Sequence, residues 1–333
     1  MAACIHTYQD IISHENLLEA WKEFIKGKKN KKDVELFQRY LMRNLIDLHE
    51  DLNNKKYRHS MYEAFNIADP KPRDIHKASV RDRLLHHAIY RKLYSYFDTK
   101  FIHDSYSCRL NKGTHRALKQ FKNYTNKVSR NHTKTVWILK CDVRKFFASI
   151  DQEILFSILQ KHIQDIDILN LLKTIIQSFQ STTEGKGLPL GNLTSQLLVN
   201  IYMNEFDQHM KRVLKTKYYI RYADDFVIMS RDKKYLEYVL TEIEKFLDYK
   251  LKLKLHPDKV FIKTLYSGVD FLGWVHFPKH RVLRTVTKKR MFKKLKNNPK
   301  EEVVQSYLGL LIHGNTKKLQ FDVENLMNIK CSS

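Results

Sequence analysis

Tyr222-Ala223-Asp224-Asp225 lies between two apolar runs, Tyr218-Tyr219-Ile220 before it and Phe226-Val227-Ile228-Met229 after it. β-Branched and aromatic residues dominate both runs, so the stretch reads as a strand, a tight turn and a second strand. Adjacent carboxylates at a rigid hairpin tip repel each other unless water or a cation compensates them. A hard cation such as Mg²⁺ takes carboxylate oxygens and keeps its other positions for water and substrate phosphates. An Asp-Asp pair can also do no more than shape a turn, so these four residues alone leave both readings open.

A second aspartate at a strand end changes the balance. Asp142 closes the apolar run Val136-Trp137-Ile138-Leu139 and is followed by Phe146-Phe147. It is remote from Asp224 in the chain, so only folding brings them together, and adjacent strands of one sheet would put both at one edge. Two metals roughly 3.5–4 Å apart would then clamp an in-line phosphoryl displacement. Lys71 and Arg73, in the stretch Pro70-Lys71-Pro72-Arg73, offer cations for a triphosphate, Arg73 through a bidentate fork.

Charge points the same way. The 333 residues carry 60 Lys+Arg against 36 Asp+Glu, a net +24. That excess argues against an enzyme of small neutral substrates and for a polyanion, either nucleic acid or an acidic membrane face. No run approaches the roughly 18 apolar residues of a membrane span, and Met1 to Tyr8 has no signal-peptide pattern, so no membrane partner is expected. Cys4, Cys108, Cys141 and Cys331 are scattered without a Cys-x-x-Cys pair, which fits a reducing cytoplasm and suggests neither zinc nor a disulfide framework. His86-His87 lack metal-ligand spacing.

Helical spacing opens the chain, with Leu17, Leu18, Trp21, Phe24 and Ile25 in one helix and Phe37, Leu41, Leu45, Leu48 and Leu52 in a second. The basic turn Lys26 to Lys32 between them is either a solvated linker or a nucleic-acid contact. An extended stretch at Tyr62 to Ile67 precedes the two prolines, which exclude helix. A helix carrying Val80, Leu84, Leu85, Ile89 and Leu93 follows. Residues 152–180 read as helical, Gly185 to Gly191 as a loop, and Leu197 to Phe206 as a helix. A helix near 233–249, short strands around Val260 and Phe271, and a basic tail with a last helix near Glu301 to His313 complete the chain. Strands among helices without regular βαβ alternation predict an α+β fold.

Taken in order, four blocks match the spacing of reverse transcriptases. They are Asp142-x-x-x-Phe146-Phe147, Gly187-Leu188-Pro189-Leu190-Gly191-Asn192-Leu193-Thr194-Ser195-Gln196, Tyr222-Ala223-Asp224-Asp225 and Phe271-Leu272-Gly273-Trp274. Upstream, Pro70 to Ile75, Asp82-Arg83 and Ser105-Tyr106-Ser107-Cys108-Arg109 resemble the fingers of bacterial retroelement enzymes. The resemblance covers roughly residues 60–315. Retroviral, group II intron and retron enzymes generally carry Gln where this chain has Leu190, and Pro where it has Gln196. The Gly-Asn-Leu-Thr-Ser-Gln form resembles the branch of diversity-generating retroelements, which copy a template-repeat RNA with frequent errors at adenines.

The resemblance implies a right-hand polymerase. A helical extension would occupy 1–60, fingers 61–140 with much of 152–190, palm 141–151 and 191–280, and a short basic thumb 281–333. Asp142 and Asp224 would hold two Mg²⁺ ions, for which Mn²⁺ can substitute, with Asp225 supporting the site and the primer end. Phe147 matches the gate that collides with a ribose 2′-hydroxyl. Lys71 and Arg73 would contact the incoming deoxynucleotide triphosphate, with Leu190 and Gln196 lining its pocket. Lys259 is either a proton donor to pyrophosphate or a surface lysine. Phe271, Gly273 and Trp274 either position the primer or form a plain core strand, and Tyr222 and Arg109 are placed with the primer and template.

Leu190 offers shape where glutamine offers a hydrogen bond, which predicts low fidelity. The implied partners are template RNA, the cDNA–RNA duplex, deoxynucleotides, a small basic accessory protein and a structured retroelement RNA. Two competing readings remain, a reverse transcriptase without a diversification role and a catalytically silent RNA-binding scaffold.

Overall fold

The structure is a computed structural model describing residues 6–67, 72–298 and 300–331, with side chains described to Asn325. Helices come first: α1 (Tyr8–Ile12), α2 (His14–Phe24), α3 (Lys32–Arg39) and α4 (Leu41–Asn53). The apolar stripe Leu17, Trp21 and Phe24 is buried, and Ser13 caps α2 by accepting from the Asn16 amide. The single helix expected over Phe37 to Leu52 is broken at Tyr40, whose backbone leaves helical values (φ −117°, ψ 33°). An apolar stripe that continues across a break reads in sequence as one helix.

The hairpin β1 (Glu63–Ile67) and β2 (Arg73–Lys77) follows, antiparallel and two strands wide. Next come α5 (Val80–Asp98), α6 (Thr114–Ser129), β3 (Trp137–Asp142), α7 (Phe146–Ser149), α8 (Gln152–Gln160) and α9 (Ile166–Gln177). The helical region expected at 152–180 is therefore two helices, because Asp165 starts α9 by accepting from the Asp167 and Ile168 amides. Then follow α10 (Leu193–Gln208), β4 (Tyr219–Tyr222), β5 (Asp225–Ser230), α11 (Lys233–Leu251) and β6 (Phe261–Thr264). Three short strands, β7 (Val269–Phe271), β8 (Trp274–His276) and β9 (Arg281–Leu283), form a second meander. The chain closes with α12 (Thr285–Asn297), α13 (Glu301–Leu311) and α14 (Lys317–Cys331), the last not foreseen from the sequence.

The central sheet runs β4-β5-β3-β6, antiparallel throughout, so the α+β expectation holds. Its period of two divides the core. Leu139, Cys141, Tyr219, Phe226 and Ile228 face one apolar cluster, shared with residues of α5, α8, α9, α10 and α11. Ile138, Ile220, Val227 and Met229 face another, shared with residues of α6, the β7–β9 meander and α12. Both faces of the sheet are thus covered, and only its end is left for polar groups. Among the described residues, no helix is long and apolar enough to cross a membrane.

Candidate active site

The pairing of β3 with β5 puts Asp142 directly opposite Asp225. Beside them the Val143 amide donates to the Asp224 carbonyl at 3.1 Å, and the His256 amide donates to the Asp142 carbonyl at 2.7 Å. The three aspartates therefore share one edge of the sheet, although only Asp224 and Asp225 are neighbours in sequence. The turn between β4 and β5 has two residues, and Ala223 sits in the left-handed region at φ 56°. That conformation costs an L-residue about 1–2 kcal/mol, so something must hold it.

Arg221 does. Its side chain is 1% exposed and donates to Asp207 of α10 at 2.8 and 2.6 Å, while Asp207 is fully buried. The same guanidinium donates to the Ala223 carbonyl at 3.1 Å, to Ser105 Oγ at 3.0 Å and to Asn200 Oδ1 at 3.3 Å. Tyr219 completes the cluster by donating to Asp207 at 2.7 Å. A charge so buried is tolerated only with its partners in place. The turn bearing Asp224 is thereby clamped to α10.

Two lysines meet the carboxylates. Lys259 Nζ donates to Asp142 Oδ1 at 2.8 Å, and Lys140 Nζ, 8% exposed, stands 3.5 Å from Asp225 Oδ2. Burial, reinforced by the charge of Asp142, raises the Asp224 pKa, with Lys259 and Arg73 opposing. Burial pushes Asp225 from an ordinary 3.8 up to about 7, against the pull of Lys140 and with the added charges of Asp142 and Asp224. Asp225 Oδ1 is buried and has no hydrogen-bond partner among the described residues. Among the described residues, no three His, Cys, Asp or Glu groups close around one ion-sized point. The donor set nonetheless fits a hard divalent cation: carboxylate oxygens at one edge, one of them orphaned, with Asp224 and Asp225 held toward protonation chiefly by burial.

Other expected residues gather nearby. The Leu188 amide donates to the Phe147 carbonyl at 2.9 Å, which ties the loop of Leu190 to α7. The His76 amide donates to the Leu190 carbonyl at 3.1 Å, so β2, with Arg73 at its start, lies against the same loop. Gly187 must lack a side chain, because at φ 101° its Cβ would stand 2.8 Å from Ser181 Cβ. Leu190 and Gln196 are half-buried. Lys71 lies outside the described residues. Lys259, left open between a site residue and a surface residue, touches Asp142.

For the five residues placed with primer and template, the structure shows how each is packed. Arg109 is turned inward, paired with Asp98 at 2.7 Å and donating to the Ile102 and Ser105 carbonyls at 2.7 and 3.0 Å, so its fork closes a loop and has no face for a template. Phe271 is fully buried against Phe121, and Trp274 is buried under the Arg281 guanidinium, so both are core residues. Tyr222 packs against the same core and accepts from the Thr114 hydroxyl at 3.2 Å. Gly273 lies at the open turn between β7 and β8, at φ 86°. The sequence reading missed Arg221, Asp207 and Lys140. Their signal was present: a lone cation inside an apolar strand is buried, and a buried cation needs a carboxylate.

Comparison with known proteins agrees with this geometry. The family model described as "Reverse transcriptase (RNA-dependent DNA polymerase)" matches residues 68–276. The chain is 27% identical over 245 residues to Protein YkfC of Escherichia coli (strain K12), covering 62% of this chain and 62% of that protein. It is 23% identical over 308 residues to the group II intron-encoded protein LtrA of Lactococcus lactis subsp. cremoris, covering 72% of this chain and 49% of that one. In structure it is similar to telomerase from Candida albicans, with a TM-score of 0.51 at 12% identity, over 75% of this chain and 54% of the other. That last likeness is one of fold.

Proposed function

This chain belongs to the reverse transcriptase family, and from that premise we propose that it is an RNA-directed DNA polymerase making error-prone cDNA from the template-repeat RNA of a diversity-generating retroelement. The observation that carries the polymerase reading is the register that sets Asp142 against Asp225 with Asp224 beside them. Asp142, Asp224 and Asp225 would hold two Mg²⁺ ions. Such ions, when bound, make an attacking 3′-hydroxyl more acidic and neutralise the leaving pyrophosphate.

The chain's own groups do the rest. Arg73 presents its fork to the triphosphate, close enough for its charge to be felt at Asp224. Phe147 would act as the gate that collides with a ribose 2′-hydroxyl. Lys259, which donates to Asp142, would also serve as the proton donor to pyrophosphate. The basic helices after residue 281 would follow a duplex backbone, making binding strongly salt-dependent. Fingers, palm and thumb would divide the chain at the boundaries given above. A structured retroelement RNA and a small basic accessory protein would supply what positions the template.

The test is primer extension on an RNA template with deoxynucleotides and Mg²⁺, comparing the wild-type chain with Asp224→Ala. We expect cDNA from the wild type alone, and equal yields from both proteins would overturn the reading. What supports the diversification branch is the loop Leu188 to Gln196, with Leu190 in place of glutamine. Similarity to LtrA favours a second reading, a group II-type reverse transcriptase with no such role. Sequencing the cDNA separates them. Errors concentrated at template adenines, and reduced in Leu190→Gln, support diversification, whereas evenly spread errors support the second reading.

A further inference from the structure

The β1–β2 hairpin is tied at its base, where Lys77 pairs with Asp33 of α3 at 2.9 Å, and has little to hold it beyond that. Every residue of β1 is exposed, and a two-stranded hairpin is marginal by itself in water. Yet Arg73, the residue assigned to the triphosphate, starts β2, so the hairpin's position sets how far its guanidinium lies from the carboxylates. What docks the hairpin beyond its base is the loop just before α10. His76 uses both of its backbone groups there: its amide donates to the Leu190 carbonyl at 3.1 Å, and its carbonyl accepts from Asn192 Nδ2 at 3.2 Å. Between those two contacts lies Gly191, at φ 110°, where a Cβ would come within 3.1 Å of Ile75 Cγ2. The loop thus lies close along β2, and its middle position combines a left-handed backbone with a tight approach to Ile75, which favours glycine.

Asn192 is unusual in this role. It occupies the N-cap of α10, where an asparagine side chain ordinarily accepts from the helix's own first amides, but no such bond forms. The side chain is turned instead to β2. The residue is 2% exposed, and its Oδ1 is buried without a partner among the described residues. A helix cap is given up and an acceptor left unsatisfied, and the one bond obtained in exchange is that to the hairpin. Phe179, edge-on against His76 at 4.6 Å and against Tyr62 at 5.7 Å, supports the base of the hairpin.

We infer that Asn192 is a positioning residue for the incoming nucleotide: its Nδ2–H latches the β1–β2 hairpin to the loop before α10 and so fixes the distance from Arg73 to the aspartate edge. The inference rests on the polymerase reading above. It assigns Leu190 a further part, since the loop that bears it also carries the hairpin.

Two measurements on the full chain test it. Asn192→Asp keeps the side chain's size and removes the donor, and Gly191→Ala pushes on Ile75 by an independent route. Hydrogen exchange in the segment Arg73–Lys77, measured without nucleotide, is expected to quicken about 2- to 10-fold in both variants, the range of one net hydrogen bond. In primer extension the deoxynucleotide KM is expected to rise by a similar factor, with kcat within about twofold of wild type. Unchanged exchange overturns the latch. Quickened exchange with an unchanged KM overturns the link to the nucleotide, and a collapse of kcat at unchanged KM does the same. Should the wild-type chain extend no primer, the polymerase reading fails on its own account, and the exchange experiment still decides whether Asn192 docks the hairpin.

Discussion

Replacing Asp225 by Asn measures directly how much unfavourable charge the site stores. Asp225 titrates at about 7 in the folded chain against 3.8 ordinarily. With its folded pKa above its unfolded one, the native state holds the proton more tightly, so the stability this group contributes at low pH is lost as pH rises from about 4 to about 7. Integrated between pH 5 and pH 8, the loss is about 2.5 kcal/mol at 1.36 kcal/mol per pKa unit. For a chain of this length that corresponds to a melting shift of about 3–4 °C. Other groups slope differently. Burial holds His86 and His276 at low pKa, about 3 and about 4, so each adds stability as pH rises to about 6.5. Asp33, Asp82 and Asp151 have lowered pKa values and titrate below this window.

The quantity to read is therefore the difference between the two proteins. Asn resembles the protonated acid, with the same neighbours and no charge. Melting curves in metal-free buffer from pH 5 to pH 8 should show the wild type losing about 2.5 kcal/mol relative to Asp225→Asn. Adding Mg²⁺ at pH 8 should recover most of that in the wild type and little in the variant, because a cation that binds only the folded form stabilises it. Parallel curves for the two proteins would refute the reasoning, since Asp225 would then be neither strained by burial nor short of a cation.

Three further outcomes follow from particular contacts. Arg221→Met leaves the fully buried Asp207 charge without its partner, which should cost about 3–5 kcal/mol in urea unfolding; the double variant Arg221→Met/Asp207→Leu should regain most of that stability while primer extension stays impaired. Phe147→Ala should let ribonucleotides be incorporated on the same template at rates approaching those of deoxynucleotides, read by alkali-sensitive product. Gly314→Ala puts a Cβ into the ring of the buried Trp274, and should lower stability by about 1–3 kcal/mol with a change in tryptophan fluorescence.

Much of this was legible in the chain. The hairpin around Tyr222 and the strand ending at Asp142 were readable because their patterns are short and local, and pairing at one edge follows once both belong to one sheet. Helix breaks were not readable. The stripe from Phe37 to Leu52 runs on through Tyr40, and that of residues 152–180 hides the cap at Asp165, because periodicity reports which face is buried and not where the backbone turns. The burial of Phe271 and Trp274 and the inward turn of Arg109 were not readable for a related reason. An aromatic or a cation quoted from a motif carries no sign of the direction in which its side chain points. Arg109 meets Asp98 inside the fold, a pairing that no spacing rule would have found.

The same limit explains why the site needs its buried charges. A sheet with one wet face is fixed in register by hydrophobic alternation, since a slip of one residue would expose its core side. Here both faces are apolar, with Ile138, Val227 and Met229 on one and Leu139, Phe226 and Ile228 on the other, so a slipped strand would still bury hydrophobic residues. Charge breaks that degeneracy. Arg221 finds Asp207 only when β4 turns it toward α10, and Lys140 finds Asp225 only when β3 presents it on the face that also carries Asp142. A one-residue slip of either strand would bury a cation without its carboxylate, at a cost of about 3–5 kcal/mol. On this reasoning the pair at Arg221 contributes little to net stability and a great deal to alignment. That is why removing both of its charges should leave a stable protein in which the turn bearing Asp224 is no longer held in place.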